Sequence, residues 1–357
     1  PSAAYAAFRE SCAALQKRDP NAAWTMGPIS GTNADWIDAC AAQPGSSASE
    51  RRAFFERYFA PLAVSDRGSD SGLFTGYFEP ELKGSRTKSA RFATPLYRRP
   101  PDLATADLGL FRDDLKGRSV TGRIEGNKFV PYPARAIIEQ GELAGKKLEI
   151  LWVDDPIEAF FLHIQGSGRV VLENGETIRV GYEAQNGHAY RAIGRDLVER
   201  GAMSADQVTL DSIVAWLKAN PGEAQALMNK NPSYVFFREV KGRGPLGAQG
   251  VPLSPGRSLA VDRKFYMLGA PVWLDTTDPL NGAPIRRLMV MQDTGGAIKG
   301  VVRGDVFWGA GPEARALAGA MKQQGKMYLL VPRSALRVSQ RDQPTDRYAG
   351  RISVRGS

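Results

Sequence analysis

The sequence is poor in the residues that build metal and redox centres. Its 357 residues include two histidines and two cysteines, too few for a zinc site of four cysteines or three histidines, and haem or iron–sulfur ligation is equally remote. No metal and no cofactor are expected. Long apolar stretches are also missing: the longest unbroken run, residues 3–8, is far short of the roughly 20 residues that span a bilayer. No basic segment leads into an apolar one near the start, so any signal peptide is expected to have been removed already. With 43% apolar and 24% charged residues, the composition argues against wholesale disorder.

What the chain has is length and positive charge. A chain of 357 residues predicts two or three domains. Its 47 basic against 38 acidic residues leave +9, which favours an anionic partner such as nucleic acid, anionic lipid headgroups or a polyanionic cell wall. The basic residues are spread along the chain rather than clustered with interleaved aromatics, so no nucleic-acid partner is expected. Cys12 and Cys40 sit on helix-like segments (8–17 and 34–42). They suit either a disulfide closing a loop, worth roughly 3 kcal/mol, or two buried thiols packed as small hydrophobes.

The first 60 residues read as helical, with Phe8, Cys12 and Leu15 at helical spacing and Phe54, Phe55, Tyr58 and Phe59 as a second stripe. From Leu73 the pattern turns to short strands: 73–78, 128–132, 148–153, 160–164 and 170–172. Glu173-Asn174-Gly175-Glu176 is the clearest hairpin signal. Helices are predicted at 187–200 and 211–219, and from Asn220 as cap with Pro221 in the first turn. Beyond Asn231 strands are predicted at 234–240, 258–260, 272–274, 288–292, 297–302, 305–308 and 327–331, with a helix at 313–323. Short strands between Gly and Pro turns point to a barrel or sandwich. Residues 340–357 read as a flexible polar tail.

Three motifs fail on their context. Gly242-Arg243-Gly244-Pro245-Leu246-Gly247 has dinucleotide-loop spacing, but Pro245 and Pro252 prevent the helix whose N-terminus would meet a pyrophosphate. Gly295-Gly296-Ala297-Ile298-Lys299-Gly300 lacks the spacing of a phosphate loop. Gln165-Gly166-Ser167-Gly168 lacks the strand-to-helix turn of a nucleophilic serine, and His163 reads as a structural residue. The remaining chemical resource is acidic. Asp293 follows an apolar run, and Asp305 lies alone in Val301-Val302-Arg303-Gly304-Asp305-Val306-Phe307-Trp308. A desolvated carboxyl there would hold its proton near neutral pH, as a general acid for glycosidic cleavage requires. A Gly-Asp turn capping backbone N–H groups explains the same residues, and both readings stand at this level.

Larger blocks carry a resemblance. Phe74-Thr75-Gly76-Tyr77-Phe78-Glu79-Pro80, Phe161-Leu162-His163-Ile164-Gln165-Gly166-Ser167-Gly168, Asn186-Gly187-His188-Ala189-Tyr190-Arg191, Asn231-Pro232-Ser233-Tyr234-Val235-Phe236-Phe237, and Met291-Gln292-Asp293-Thr294-Gly295-Gly296 with Gly304-Asp305 occur in order over about residues 72–333. Together they resemble the bacterial lytic murein transglycosylase A family. The resemblance implies a mainly β fold with α: N-terminal helices with a six-stranded double-psi β-barrel as catalytic domain (1–79 plus 241–339), a smaller inserted β-domain (80–240), and a groove between them. It places the catalytic acid at Asp305 with Asp293 supporting it, and sugar contacts at Thr75, Gln165, Gly166, Ser167, Gly168 and Lys299.

The implied reaction cleaves the β-1,4 bond between N-acetylmuramic acid and N-acetylglucosamine in peptidoglycan without water, leaving a 1,6-anhydro end. The implied partner is the peptidoglycan glycan strand, and the implied setting is the periplasm, at the outer membrane, as a monomer. Family members usually begin with a lipidated cysteine. This sequence begins Pro1-Ser2-Ala3, and Cys12 is not preceded by the h-region of a lipoprotein signal, so the lipid anchor is not visible in it. The rival reading is a non-catalytic cell-wall glycan-binding module in which Asp305 is only a turn residue.

Overall fold

The N-terminal part of the chain runs α1 (Ser2–Leu15), β1 (Ala23–Met26), β2 (Ile29–Thr32), α2 (Ile37–Ala41), α3 (Ala48–Tyr58), β3 (Phe59–Asp66) and β4 (Gly72–Glu79). The middle part follows with β5 (Glu81–Ser85), β6 (Thr94–Tyr97), β7 (Ala104–Asp107), β8 (Ser119–Glu125), β9 (Lys128–Pro131), α4 (Arg135–Ile137) and β10 (Glu149–Val153). It continues through α5 (Pro156–Gln165), β11 (Ser167–Leu172), β12 (Thr177–Gln185), α6 (Ile193–Glu199), α7 (Leu210–Ala219), α8 (Pro221–Met228) and β13 (Val235–Val240). The C-terminal part contains β14 (Ser258–Ala260), β15 (Pro271–Thr277), β16 (Pro284–Asp293), β17 (Arg303–Ala310), α9 (Pro312–Ala320), β18 (Lys322–Pro332) and β19 (Arg351–Val354). This computed structural model describes residues 2–242 and 244–336, and the backbone of 351–354. The chain divides into two units, Pro1–Phe78 with Leu246–Ser357, and Glu79–Pro245.

In the first unit, strands β15, β16, β14, β17, β4 and β18 pair in that order, and β18 pairs back onto β15, closing a ring of six. The fold is mixed α/β, and β3 and then β19 extend it from β18. One face of the ring strands buries Phe74, Leu259, Val272, Leu274, Met289, Met291, Val306 and Leu329 in one large core, shared with Phe8, Trp24, Trp36, Phe54, Phe55 and Phe59 of the N-terminal elements. Cys12 and Cys40 form a disulfide between α1 and α2. The second unit holds a six-stranded sheet, β13-β12-β11-β5-β10-β6, and a separate three-stranded sheet, β7-β8-β9.

Local chemistry explains most boundaries. Ser47 and Glu50 form a capping box that starts α3. The 173–176 turn joins β11 to β12 as an antiparallel hairpin, with Gly175 at φ 84 where the turn needs a left-handed residue. Asp155 caps Ile157 and Glu158, and Pro156 opens α5.

That cap overturns one expectation, because residues 160–164 are helical, not a strand. Leu162 faces one core cluster while Ile157, Phe160 and Phe161 face another. A helix buried on two sides is apolar nearly all round and shows no clear period. Residues 297–302 are likewise not a strand: Gly300 at φ 116 donates to Asp262 Oδ2 and holds a loop open. The helix expected at 187–200 is confined to Ile193–Glu199. The helical N-terminus is interrupted by the β1–β2 hairpin. Of the tail expected at 340–357, Arg351–Val354 instead form β19, parallel to β3; its other residues lie outside those described.

Candidate active site

Asp305 lies in β17 and Asp293 ends β16, and β14 runs between these strands with Ala260 paired to both. Residues directly opposite each other share a face, so the two carboxylates stand in one row, their backbones about 10 Å apart across two strand spacings. A register shift creates that row. Leu259 pairs with Met291, but Ala260 pairs with Asp293, so Gln292 is bulged out. The Gln292 amide turns into the core, where Nε2 donates to Ala7 O (2.8 Å) and Ser11 Oγ (2.9 Å) and Oε1 accepts from Ser258 Oγ.

Strand β4, next to β17, supplies the other half of the site through alternate residues. Thr75 Oγ1 donates to Asp305 Oδ1 at 2.8 Å, and Tyr77 Oη donates to Asp293 Oδ2 at 2.8 Å. Arg303, two residues before Asp305, donates to Thr75 Oγ1 at 2.8 Å, which leaves the threonine hydroxyl hydrogen directed at the carboxylate. Phe307, two residues after Asp305, packs on the Tyr77 ring at 5.2 Å. With Leu253, Ala260 and Ile298 these rings form a separate apolar cluster beneath the carboxylates. The apolar part of the surroundings of Asp305 is therefore supplied by this Phe307–Tyr77 cluster. Of the apolar flanks read from the sequence, Phe307 belongs to this cluster, whereas Val302 and Val306 belong to the large core and Trp308 packs against that core.

Asp293 is saturated. Its Oδ1 accepts the backbone N–H groups of Ala248 (2.8 Å) and Thr294 (2.9 Å), and its Oδ2 accepts from Tyr77. Burial pushes its carboxyl up, and these three hydrogen bonds pull it back. Asp305 is half-buried and accepts one hydrogen bond from the described residues, on Oδ1, so Oδ2 is free. Burial pushes its carboxyl up to about 6, opposed by Arg303 and the Thr75 hydrogen bond and reinforced, more weakly, by Asp293. The Tyr77 phenol is held well above its ordinary value by burial and then by the two carboxylates, so it remains a donor.

The structure thus brings together Thr75, Asp293 and Asp305. Lys299 is exposed on the loop before β17. Gln165, Gly166, Ser167 and Gly168 belong to the second unit, where the glycines have structural reasons of their own. Gly166 ends α5 in the left-handed conformation (φ 77), and a Cβ on Gly168 would meet Leu162 Cδ1 at 2.5 Å. Gly304 is a packing glycine as well, its missing Cβ replaced by Leu259 and Phe74. Tyr77 and Arg303 received no role from the sequence. Their signal was period-two spacing, from Thr75 to Tyr77 and from Arg303 to Asp305.

The family description "MltA specific insert domain" matches residues 73–238, and "3D domain" matches residues 257–331. The membrane-bound lytic murein transglycosylase A of Escherichia coli K12 is 32% identical over 264 residues, which are 72% of this chain and 65% of the relative. The match therefore spans just under two thirds of that relative's length. A crystal structure of a membrane-bound lytic murein transglycosylase from Agrobacterium tumefaciens is 34% identical, covers 93% of both chains and superposes with a TM-score of 0.82. The chain belongs to the MltA family. Another MltA-family structure, the E. coli protein with bound chitohexaose, is 26% identical with a TM-score of 0.65 and covers 92% of this chain and 84% of that one.

Proposed function

We propose that the protein is a peptidoglycan lytic transglycosylase with Asp305 as its single acid and base. The observation that carries this reading is the state of that side chain: a carboxyl raised to about 6 over an apolar floor, one oxygen fixed by Thr75 and the other without a partner among the described residues. Protonated Asp305 donates from Oδ2 to the glycosidic oxygen between N-acetylmuramic acid and N-acetylglucosamine while positive charge develops at the muramyl anomeric carbon. The resulting carboxylate takes the proton of the same sugar's C6 hydroxyl, whose oxygen attacks that carbon and closes the 1,6-anhydro ring. An intramolecular hydroxyl takes the place of water, so the second carboxyl that activates water or forms the covalent intermediate in ordinary glycosidases is not needed. Asp293, anchored by three hydrogen bonds, stays behind as a fixed negative charge facing the developing cation.

On this reading residues 1–79 with 241–339 are the catalytic domain, and their six-strand ring has double-psi topology. Residues 80–240 hold glycan, with Gln165, Gly166, Ser167 and Gly168 as sugar contacts together with Thr75 and Lys299. The substrate is the glycan strand of peptidoglycan, met by a monomer in the periplasm at the outer membrane. One fact supports this setting: the E. coli relative is named membrane-bound. No helix among the described residues is long and apolar enough to cross a membrane. The test is mass spectrometry of the products released from purified murein sacculi. Muropeptides one water lighter than hydrolysed ends support the proposal. Reducing-end products refute the mechanism, and binding without release favours a glycan-binding module.

A further inference from the structure

The three-stranded sheet β7-β8-β9 is built inside out. Val120 pairs with Ala106 and Ile124 with Phe129, so Ala106, Val120, Ile124 and Phe129 share one face. The opposite face carries Thr121 and Arg123 and is the packed one. Thr121 fills the space beside Gly187, and Arg123 lies over the Tyr132 ring and pairs with Glu142. The apolar face is left outward, with Val120 44%, Ile124 69% and Phe129 43% exposed. The connection from β7 to β8 adds Leu110 and Phe111, 84% and 75% exposed. Five of the eleven exposed large hydrophobic residues among those described thus fall within residues 110–129. A monomer gains nothing from such a concentration in water.

Charge identifies the occupant. The four acidic residues of 104–131 are each engaged locally: Asp107 caps Gly109, Asp113 pairs with Lys116, Asp114 with Arg112 and Glu125 with Arg123. Arg118, two residues before Val120, and Lys128, next to Phe129, make no side-chain hydrogen bond or ion pair with described residues. The surface therefore presents branched aliphatic and phenyl groups, with Arg118 leading into β8 and Lys128, opposite Glu125 and so rooted on the other face, at the β8–β9 hairpin end beside it. Sugar hydroxyls need hydrogen-bonding side chains, and Ala106, Val120, Ile124 and Phe129 offer none. Aliphatic side chains with a free Arg and a free Lys at the ends of the same strands match the boundary between acyl chains and anionic headgroups.

We infer that the outward face of β7-β8-β9, with Leu110 and Phe111, is a contact for the surface of an anionic lipid bilayer. It docks the second unit onto the bilayer independently of the reaction at Asp305. The test is co-sedimentation of the full chain with vesicles of phosphatidylglycerol and phosphatidylethanolamine (1:3), compared with vesicles of phosphatidylcholine. The expected result is partition onto the anionic vesicles, reduced tenfold or more in the double variant Phe111→Ser/Ile124→Ser. Each of Arg118→Gln and Lys128→Gln should reduce it by roughly fivefold at low salt. Leu280→Ser, an exposed apolar residue of the first unit, should partition like the parent chain, and circular dichroism should show all variants folded. Absence of partition overturns the inference, as does equal loss in Leu280→Ser or unchanged partition in the patch variants. Light scattering that shows the patch holding a dimer, or loss of sacculus binding alone in the double variant, overturns it in favour of self-association or glycan binding.

Discussion

Each unit of the molecule buries an ionisable cluster, and the two clusters differ in what they leave unsatisfied. In the second unit the Arg135 guanidinium, 1% exposed, donates to Asn231 O and Ser233 O, pairs with Glu139, and lies between the rings of Phe160 and Tyr234. His163 beside it accepts from Val235 N, and its ring meets Tyr234 at 4.2 Å. In the first unit, Asp305 sits over an apolar floor with one oxygen uncommitted. Both clusters contain groups whose proton affinity burial has displaced, so displacement alone does not mark a site. An open valence does, since a saturated network holds structure while an uncommitted carboxyl oxygen can move a proton.

The sharpest way to break this comparison is to remove the transferable proton. Asp305→Asn should lower the release of anhydro products about 10³-fold or more while binding of a chitin oligosaccharide survives. A variant close to the parent rate would move the acid elsewhere, to Asp293 first. The matching change in the second unit is Arg135→Met. It leaves the carbonyls of the buried Asn231 and Ser233 without their donor and the solvent-open Glu139 without its partner, a loss of about 2–4 kcal/mol that lowers Tm by roughly 10 °C. Activity per folded molecule should hold at low temperature. If Arg135→Met instead lost activity with its Tm intact, the saturated cluster would not be purely structural.

Smaller effects grade the first unit's own carboxylates. Asp293→Asn keeps the shape and removes the fixed charge, and a supporting residue of this kind is worth about 10²-fold or less. The pH profile should barely move, because Asp293 is the weakest of the influences on Asp305. Tyr77→Phe removes one of three hydrogen bonds to Asp293, at a cost of about 1 kcal/mol, and should reduce the rate several-fold. A Tyr77→Phe loss as large as that of Asp305→Asn, measured as kcat on soluble glycan, would mean that the phenol itself touches the reacting atoms.

The sequence exposed these regions unequally. The lone Asp305 and the strands around it were legible because ring strands with one core face alternate, and the hairpin at 173–176 announced itself through Asn and Gly. The Asp293–Asp305 row was not legible, because it depends on the bulge at Gln292, a register shift that no periodicity records. The helical state of His163 was hidden because α5 is buried on two sides. The polar inward face of β8 was hidden because alternation reveals two faces and not which one the protein covers.

The last difference between the clusters is the sign of their response to acid. The Asp305 carboxyl is raised to about 6 in the folded protein from about 3.9 unfolded, so between these values the native state binds more protons. Stability from this group therefore rises as pH falls from 6 to 4 and is lost again above 6. His163 is held well below its ordinary value, first by burial and then by the Arg135 charge. Its unfolded form takes up the proton from about pH 6.5 downward, so its contribution to stability is lost as pH falls. Asp305→Asn should abolish only the first response. Because the carboxyl is half open to solvent, the variant should gain about 1–2 kcal/mol over the parent at pH 7 and little at pH 4, read as Tm across that range. His163→Gln should instead flatten the acid-side loss and leave the interval above pH 7 unchanged. If Asp305→Asn is no more stable than the parent at pH 7, the carboxyl is not held against its charge in the resting protein. The proton for cleavage would then have to be drawn in only when glycan covers the site.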